Sequence, residues 1–258
     1  MGEKFDISGK VVMITGALGQ LGSEITRELL ENGAKVAISD LDEDKCKNAA
    51  SDFNNKFKNS VFGIGCDITQ EKSVEKFFAE TYKKFGKIDA LINNAGIGIF
   101  TPFEKRTPEE IDRVMDVNIK GTILCSKHAF NVMKKSGKGS IINIASIYGL
   151  VSSNKEIYGD SGRNNSEIYG MTKAAIINFT KYLAAYSAEF GIRVNAISPG
   201  GIFNGQKEVF VKNYTNKVPM KRMGSAKDMV GAAIYLISDS SSYMTGNNLV
   251  IDGGFTVW

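Results

Sequence analysis

The tetrapeptide Glu-Ile-Tyr-Gly occurs twice, at Glu156 to Gly159 and at Glu167 to Gly170, so two tyrosines compete for the role of proton donor. A free phenol ionises near 10, and one that works at neutral pH needs about three units of tuning, or about 4 kcal/mol of selective stabilisation of its phenolate. A fixed neighbouring cation supplies that stabilisation. Lys173 stands four residues after Tyr169 in IYGMTKAAIINFTKYLAAY, a stretch of helical period that puts both side chains on one face. Tyr158 has Gly162 at the same offset, with a turn-forming Gly-Asp-Ser-Gly between them, and nothing fixes the nearby Lys155 on a rigid element. Tyr169 with Lys173 is therefore read as the reactive pair. The bland reading is an amphipathic helix that happens to carry a tyrosine and a lysine, as it carries Tyr182 and Tyr186 further on.

A second group of residues suits an anionic ligand. In KVVMITGALGQLGSEITRELL an apolar strand runs through Gly16, Gly19 and Gly22 straight into an amphipathic helix. Such a turn lets backbone N–H groups approach a pyrophosphate while the positive end of the helix points at the same charge. The next strand ends in Asp40, 18 residues past Gly22, where a carboxylate accepts from adenosine ribose hydroxyls and repels a 2′-phosphate. No arginine in the turn or at Leu41 counters it, which favours NAD over NADP. The competing role for Asp40 is capping the helix that opens at LDEDK.

These residues need a scaffold, and the chain alternates strand and helix from Lys10 to Asp252. Strands are read at VVMIT, KVAIS, VFGIGC, IDALIN, GSIINIA, IRVNAIS and NNLVIDG. Helices are read near 20–32, 43–57, 70–85, 108–135, 167–190 and 226–238. Strands apolar on both faces in alternation with helices imply a doubly wound (Rossmann) α/β fold, a parallel sheet of about seven strands covered on both sides. No linker or long repeat divides it, so residues 1–258 read as a single domain. The path of residues 201–224 is not legible.

Thr15-Gly16-x-x-Gly19-x-x-Gly22, Cys66-Asp67-Ile68-Thr69, Asn93-Asn94-Ala95-Gly96, Asn118, Ser146, Tyr169-x-x-x-Lys173, Pro199-Gly200 and Asp252-Gly253-Gly254 together resemble the short-chain dehydrogenase/reductase family over almost the whole chain. The resemblance implies hydride transfer between NAD(H) and a ketone/secondary alcohol pair. It assigns the cofactor to Gly16, Gly19, Gln20 and Leu21 at the turn, to Asp40, to Asp67 and Ile68 at the adenine, and to Asn94, Ala95 and Gly96. Tyr169, Lys173, Pro199, Gly200 and Ile202 complete that set, and the segment after Pro199 encloses nicotinamide and substrate. Ser146 would hold the oxyanion, Tyr169 exchange the proton, Lys173 tune it and bind the nicotinamide ribose, and Asn118 keep a relay water. The bland readings are a turn cap for Ser146 and a helix-kink amide for Asn118.

Two departures stand out. The classical branch spaces its glycines T-G-x-x-x-G-x-G, whereas here Gly19 comes one position early and Gln20 replaces the middle glycine, as in the longer extended branch. The reactive tyrosine usually follows the serine by about a dozen residues. Tyr158 lies 12 after Ser146 and Tyr169 lies 23 after it, so the choice of Tyr169 implies an insert of about ten residues. Leaving the carboxyl end of a central strand, the insert should border the substrate. Its Asn154, Lys155, Tyr158, Asp160 and Arg163 suit a polar, hydroxyl-rich or anionic ligand, with a solvated loop or an oligomer contact as the alternative. Insert and turn resemble, more loosely, the oxidoreductases of flagellin and surface-glycan modification, which suggests a sugar-derived substrate in carbohydrate biosynthesis. Two alternatives are an epimerase or dehydratase that uses held NAD without net redox, and a non-enzymatic dinucleotide sensor.

Composition excludes other classes. A net charge of +4, with lysines and acids interleaved, gives no nucleic-acid footprint, and no window reaches the roughly 20 apolar residues of a membrane span. A cytoplasmic protein is expected. Cys46, Cys66 and Cys125 lack metal or disulfide spacing, so no metal is expected, and His128 reads as a packed helix residue. Family likeness suggests a homodimer or homotetramer through the helices around 108–135 and 167–190 and the last strand. The apolar tail Phe255-Thr256-Val257-Trp258 is read as a buried terminus or a subunit contact.

Overall fold

A computed structural model describes residues 3–159, 161 and 166–258. Seven strands form one parallel sheet in the order β3-β2-β1-β4-β5-β6-β7. They are β1 (Val11–Thr15), β2 (Lys35–Asp40), β3 (Val61–Gly65), β4 (Ala90–Asn93), β5 (Gly139–Ile144), β6 (Ile192–Pro199) and β7 (Asn248–Ile251). The strand order reverses between β1 and β4, and that switch point opens a crevice at the carboxyl edge, where Thr15, Asp40, Asn93, Ile144 and Pro199 end their strands. Residues Val11 to Ile14 and Ala90 to Ile92 are shielded on both faces. Complete burial of such Val, Leu and Ile side chains contributes about 1.5–3 kcal/mol each, which is why these strands read as unbroken apolar runs.

The helices lie on both faces: α1 (Gln20–Glu31), α2 (Glu43–Phe57), α3 (Glu71–Phe85), α4 (Pro108–Met115), α5 (Thr122–Ser136), α6 (Glu167–Ser187), α7 (Glu208–Lys217) and α8 (Lys227–Ile237). Two differ from the sequence reading. The helix read over 108–135 is broken by a π-helical segment at Asp116–Gly121 between α4 and α5. Helix α7 falls in the stretch that was illegible.

Helix α6 carries the residues of greatest interest, and its start is well specified. Ser166 caps it by accepting from the Tyr169 N–H at 3.3 Å, and Glu167 in the first turn pairs with the buried Arg106 at 3.0 Å. Its apolar face, with Ile168, Ile176, Ile177, Leu183 and Ala184, packs inward. Against it lies the turn after β5, where a Cβ on Gly149 would come within 2.7 Å of the Lys173 carbonyl carbon and 2.8 Å of the Ala174 nitrogen. Because both are backbone atoms, neither side yields cheaply. Gly149→Ala should cost about 1–3 kcal/mol through overpacking and lower the unfolding midpoint by roughly 5 °C. It should lower turnover too, since the displaced backbone is that of Lys173; thermal melting and steady-state kinetics check both.

Candidate active site

The glycine turn is shaped by two of its three glycines. Gly16 has φ +62°, and a Cβ there would meet the Ala95 Cα at 2.7 Å; at Gly22 it would meet the Gly16 oxygen at 2.5 Å. Gly19 has φ −71° and no neighbour nearer than 3.5 Å to an added Cβ, so nothing in the backbone demands glycine there. The unusual spacing therefore lies where the fold is indifferent to it. Gln20, the first residue of α1, sends its Nε2 across to the Phe203 carbonyl at 2.6 Å. No side chain caps α1, so its first N–H groups face the crevice.

Asn94 backs the turn, its Nδ2 donating to the carbonyls of Thr15 and Gly16 at 3.0 and 2.8 Å. The Thr15 hydroxyl accepts from the N–H groups of Asn94 and Ala95, locking strands β1 and β4 together at the crevice. Asp40 sits half-buried at the end of β2, accepting from the Leu18 N–H at 3.3 Å and the Leu41 N–H at 2.9 Å. It is not the helix cap that the sequence left open: Asp42 caps α2, accepting from the Lys45 N–H at 3.0 Å. Asp67 folds onto Thr69 in a turn after β3, and the side chain of Ile68 is buried against Gly121.

Asn118 occupies the π-helical segment and is fully buried. Its Oδ1 accepts from the Ile97 N–H at 2.8 Å, and its Nδ2 donates to the Ile97 carbonyl and the Thr172 hydroxyl, both at 3.0 Å. The amide thus pins the segment after β4 to α6. A Cβ at Gly96 would lie 3.3 Å from Lys173 Nζ and 3.4 Å from Asn118 Oδ1, so that glycine leaves open the space both groups face.

Ser146, Tyr169 and Lys173 come together at the end of β5. The Ser146 hydroxyl accepts from the Tyr148 N–H at 3.2 Å and lines the same cavity as the Tyr169 phenol. Burial pushes the phenol above its ordinary pKa, the nearby Ser146 hydroxyl pulls it down, and Tyr158 pushes it up again. Lys173 is buried, with Nζ 5.4 Å from the Tyr169 ring centre and donating to the Ile144 carbonyl at 2.8 Å. Loss of hydration lowers its pKa from 10.5 to about 8. Burial is the largest influence on each of the two groups, and it leaves the phenol protonated at neutral pH.

Two cavities meet at Tyr169. The smaller, about 250 Å³, is lined by Leu21, Asn94, Gly96, Ser146, Tyr169, Lys173, Pro199, Gly200 and Ile202 among others. The larger, about 990 Å³, shares Gly96, Ser146, Tyr169, Gly200 and Ile202 and adds Ile97, Phe100, Tyr148, Tyr158, Phe210 and Met223. Tyr158 borders the larger one alone, away from Lys173. Asp160 and Arg163 of the insert lie outside the described residues, while Asn154 caps a short 3-10 turn at Lys155–Tyr158. The walls supplied by α7 went unforeseen, although Phe210 and Tyr214, one helical turn apart, are the signal that marks them. Phe255 of the tail is buried on Tyr214, but Trp258 is 78% exposed, so the expectation of a buried end holds only in part.

Among the described residues no group of His, Cys, Asp and Glu could hold a metal, and no helix is long and apolar enough to cross a membrane. The three cysteines are buried, and burial raises each thiol pKa, that of Cys46 and Cys66 to about 11.

Residues 16–256 match the family described as Enoyl-(Acyl carrier protein) reductase. A short chain dehydrogenase from Leptospira borgpetersenii, solved with bound NAD+, is 44% identical, with a TM-score of 0.89 and coverage of 99% of this chain and 96% of its own. A gluconate 5-dehydrogenase from Burkholderia cenocepacia, solved with NADP and tartrate, is 28% identical, with a TM-score of 0.91 and coverage of 99% and 98%. An uncharacterized oxidoreductase of Thermotoga maritima is 36% identical over 97% of this chain and 99% of its own length. The NAD-dependent glycerol dehydrogenase of Listeria innocua is 33% identical over 98% and 96%. The post-translational flagellin modification protein A of Campylobacter coli is 28% identical over 96% and 99%. The chain belongs to the short-chain dehydrogenase/reductase family, and it is an oxidoreductase acting on CH–OH groups.

The buried lysine carries a testable signature. An unfolded lysine holds its proton up to 10.5, whereas the folded one releases it at about 8, so between those values the unfolded chain binds more protons and stability rises with pH. That rise amounts to about 3 kcal/mol, absent below pH 8 and complete above 10.5. Denaturant titrations of wild type and Lys173→Met across that window should show the wild type gaining about this much on the variant.

Proposed function

We propose that the protein transfers hydride reversibly between NAD(H) and a ketone/secondary alcohol pair, with a sugar-derived compound as the first candidate substrate. The observation that carries the reading is the position of Tyr169, beside Ser146 at the wall shared by a cavity containing Lys173 and a second, roomier one. A nicotinamide dinucleotide fits the crevice on structural grounds. Gly96 leaves open the space that Lys173 Nζ and Asn118 Oδ1 face, α1 offers a pyrophosphate N–H groups that no side chain caps, and Asp40 stands at the turn for a ribose. When bound, that group supplies the hydride.

The chain's own residues orient the substrate and move the proton. The substrate oxygen lies between the Ser146 hydroxyl and the Tyr169 phenol. In reduction Tyr169, protonated at neutral pH, gives its proton to the developing alkoxide, and in oxidation the phenolate removes it. Ser146 donates to the same oxygen in a site whose dryness strengthens the bond. Lys173, cationic below about pH 8, supports the phenolate and addresses the nicotinamide ribose. Asn118 holds the Gly96 edge so that a single water joins it to Lys173 and returns the proton to solvent.

The direct test is Tyr169→Phe, which should lower kcat/KM by at least about 10²-fold, in keeping with loss of a general acid, while NADH binding stays within a few-fold. Tyr158→Phe should retain most of kcat; a larger loss of kcat in Tyr158→Phe than in Tyr169→Phe refutes the assignment. Stoichiometric NADH consumption separates net redox from epimerisation, in which no absorbance is lost.

The choice of NAD is supported by Asp40, and Lys45, which senses its charge, is paired with Asp42 at 3.0 Å. The wild type should prefer NADH to NADPH by about 10²-fold in kcat/KM, and Asp40→Ala should narrow the gap by improving NADPH. An unchanged ratio in that variant would count against Asp40 as the selector. The family's oligomers and the cytoplasm remain the proposed setting, with sedimentation as the check on assembly.

A further inference from the structure

Both copies of Glu-Ile-Tyr-Gly deliver their tyrosine to the same cavity, since Tyr158 and Tyr169 each line the 990 Å³ space. The mechanism uses only one of them. Tyr158 is nonetheless held as firmly as a working residue. It ends the turn Lys155–Tyr158, whose Ile157 is fully buried in a cluster with Tyr214, Val218, Met223 and Phe255. The Glu156 carbonyl accepts from Asn213 Nδ2 at 3.2 Å, and its carboxylate pairs with Lys217 at 3.3 Å, fastening the insert to α7. The Tyr158 ring stands edge-on to Phe210 at 5.3 Å.

The hydroxyl is tied to the reacting end of the cavity. The Tyr148 and Tyr158 phenols lie close enough to influence one another, the Tyr148 N–H donates to the Ser146 hydroxyl at 3.2 Å, and Ser146 and Tyr169 line the same end of the cavity. The second phenol is therefore at a fixed offset from the first. Beside them much of the wall is carbon, from Ile97, Phe100, Val209, Phe210 and Met223, with Gln206 and Lys207 as further polar residues of the lining. Such a wall accepts many skeletons and discriminates weakly, whereas a site built to hydrogen-bond a substrate hydroxyl discriminates strongly, because a ligand without it strands the polar group. A phenol oxygen accepts as well as donates, so a phenol that already has a protein partner can also bind a substrate oxygen.

We propose that Tyr158 is a specificity-determining residue: its hydroxyl binds a second oxygen of the substrate, close to the reacting carbon, and selects hydroxylated ketones and diols over plain ones. The proposal rests on the hydride-transfer reading. No bond changes at Tyr158; it acts through binding, while proton exchange stays with Tyr169.

The test uses the full chain with NADH and two ketones of one skeleton, 2-hydroxycyclohexanone and cyclohexanone. Wild type should favour the hydroxyketone by about tenfold or more in kcat/KM. Tyr158→Phe, which keeps the ring and its contact with Phe210, should lose at least about tenfold more on the hydroxyketone than on cyclohexanone, chiefly through KM. Equal losses on the two ketones, or a preference that survives the substitution, overturn the role of Tyr158 and leave hydride transfer intact. A wild type that oxidises neither NADH nor NADPH with either ketone overturns both. A melting scan of the variant shows whether an equal loss reflects damage to the insert, and Tyr148→Phe, which removes the partner hydroxyl without touching Tyr158, should reproduce the selective loss.

Discussion

The site depends on an ammonium group held out of water at the end of a central strand. Lys173 is 3% exposed and hydrogen-bonds the Ile144 carbonyl, and its burial costs enough to move its pKa to about 8. A flexible surface lysine would rehydrate instead of tolerating that environment. What prevents it is backbone packing: the turn at Gly149 rests directly on the main chain of Lys173 and Ala174, and a Cβ on Gly170 would approach the Tyr148 carbonyl to 2.9 Å. Helix α6 is therefore seated against the end of β5 by glycines, and Ser146, Tyr169 and Lys173 inherit their mutual geometry from that seat.

A second frame of buried polar groups keeps the carboxyl edge of the sheet in register. Asn93 donates to Ser126 and Asn143, and Asn143 donates to Thr180, joining β4, β5, α5 and α6 through the interior. Asn94 and Thr15 do the same between β1 and β4, and Asn118 between the strand end and α6. Such networks specify one arrangement when their members are paired; the amide nitrogens here are paired, while the buried Asn93 Oδ1 has no partner among the described residues. The side chains of Asn93, Asn94 and Asn118 are thus engaged with protein, which confines what they offer a ligand to position and to remaining lone pairs.

Much of this was legible in the residues, for stated reasons. Strands buried on both faces announce themselves as apolar runs, and the glycine turn is forced at Gly16 by its positive φ and at Gly22 by a close approach. Tyr169 could be preferred over Tyr158 because helical spacing to a cation is a local property. The π-helical segment was invisible, since its cause is the tertiary fit of Gly121 over Ile68 and of Asn118 against Ile97. Helix α7 was missed because it opens on Lys207 without a side-chain cap and is stabilised by contacts distant in sequence, Tyr214 stacking on Phe255 and Ile157 packing beneath it. Helical spacing brings Lys173 to the same face as Tyr169 but does not fix the direction of its ammonium, which donates to the Ile144 carbonyl.

The insert and the unusual glycine turn belong to one half of the molecule's logic rather than being separate oddities. The insert is fastened to α7, α7 is joined to the strand end through Tyr214, whose hydroxyl accepts from the Gly201 N–H, and Gly201 leads to Phe203, which accepts from Gln20. A glycine at position 20, as in the classical spacing, has no side chain with which to make that last bond. The residue that departs from the family pattern is therefore the one that connects the dinucleotide turn to the segment roofing the larger cavity. Since nothing in the backbone demands glycine at position 19, the turn does not depend on a glycine there, and the side chain of Gln20 bridges the two halves of the crevice.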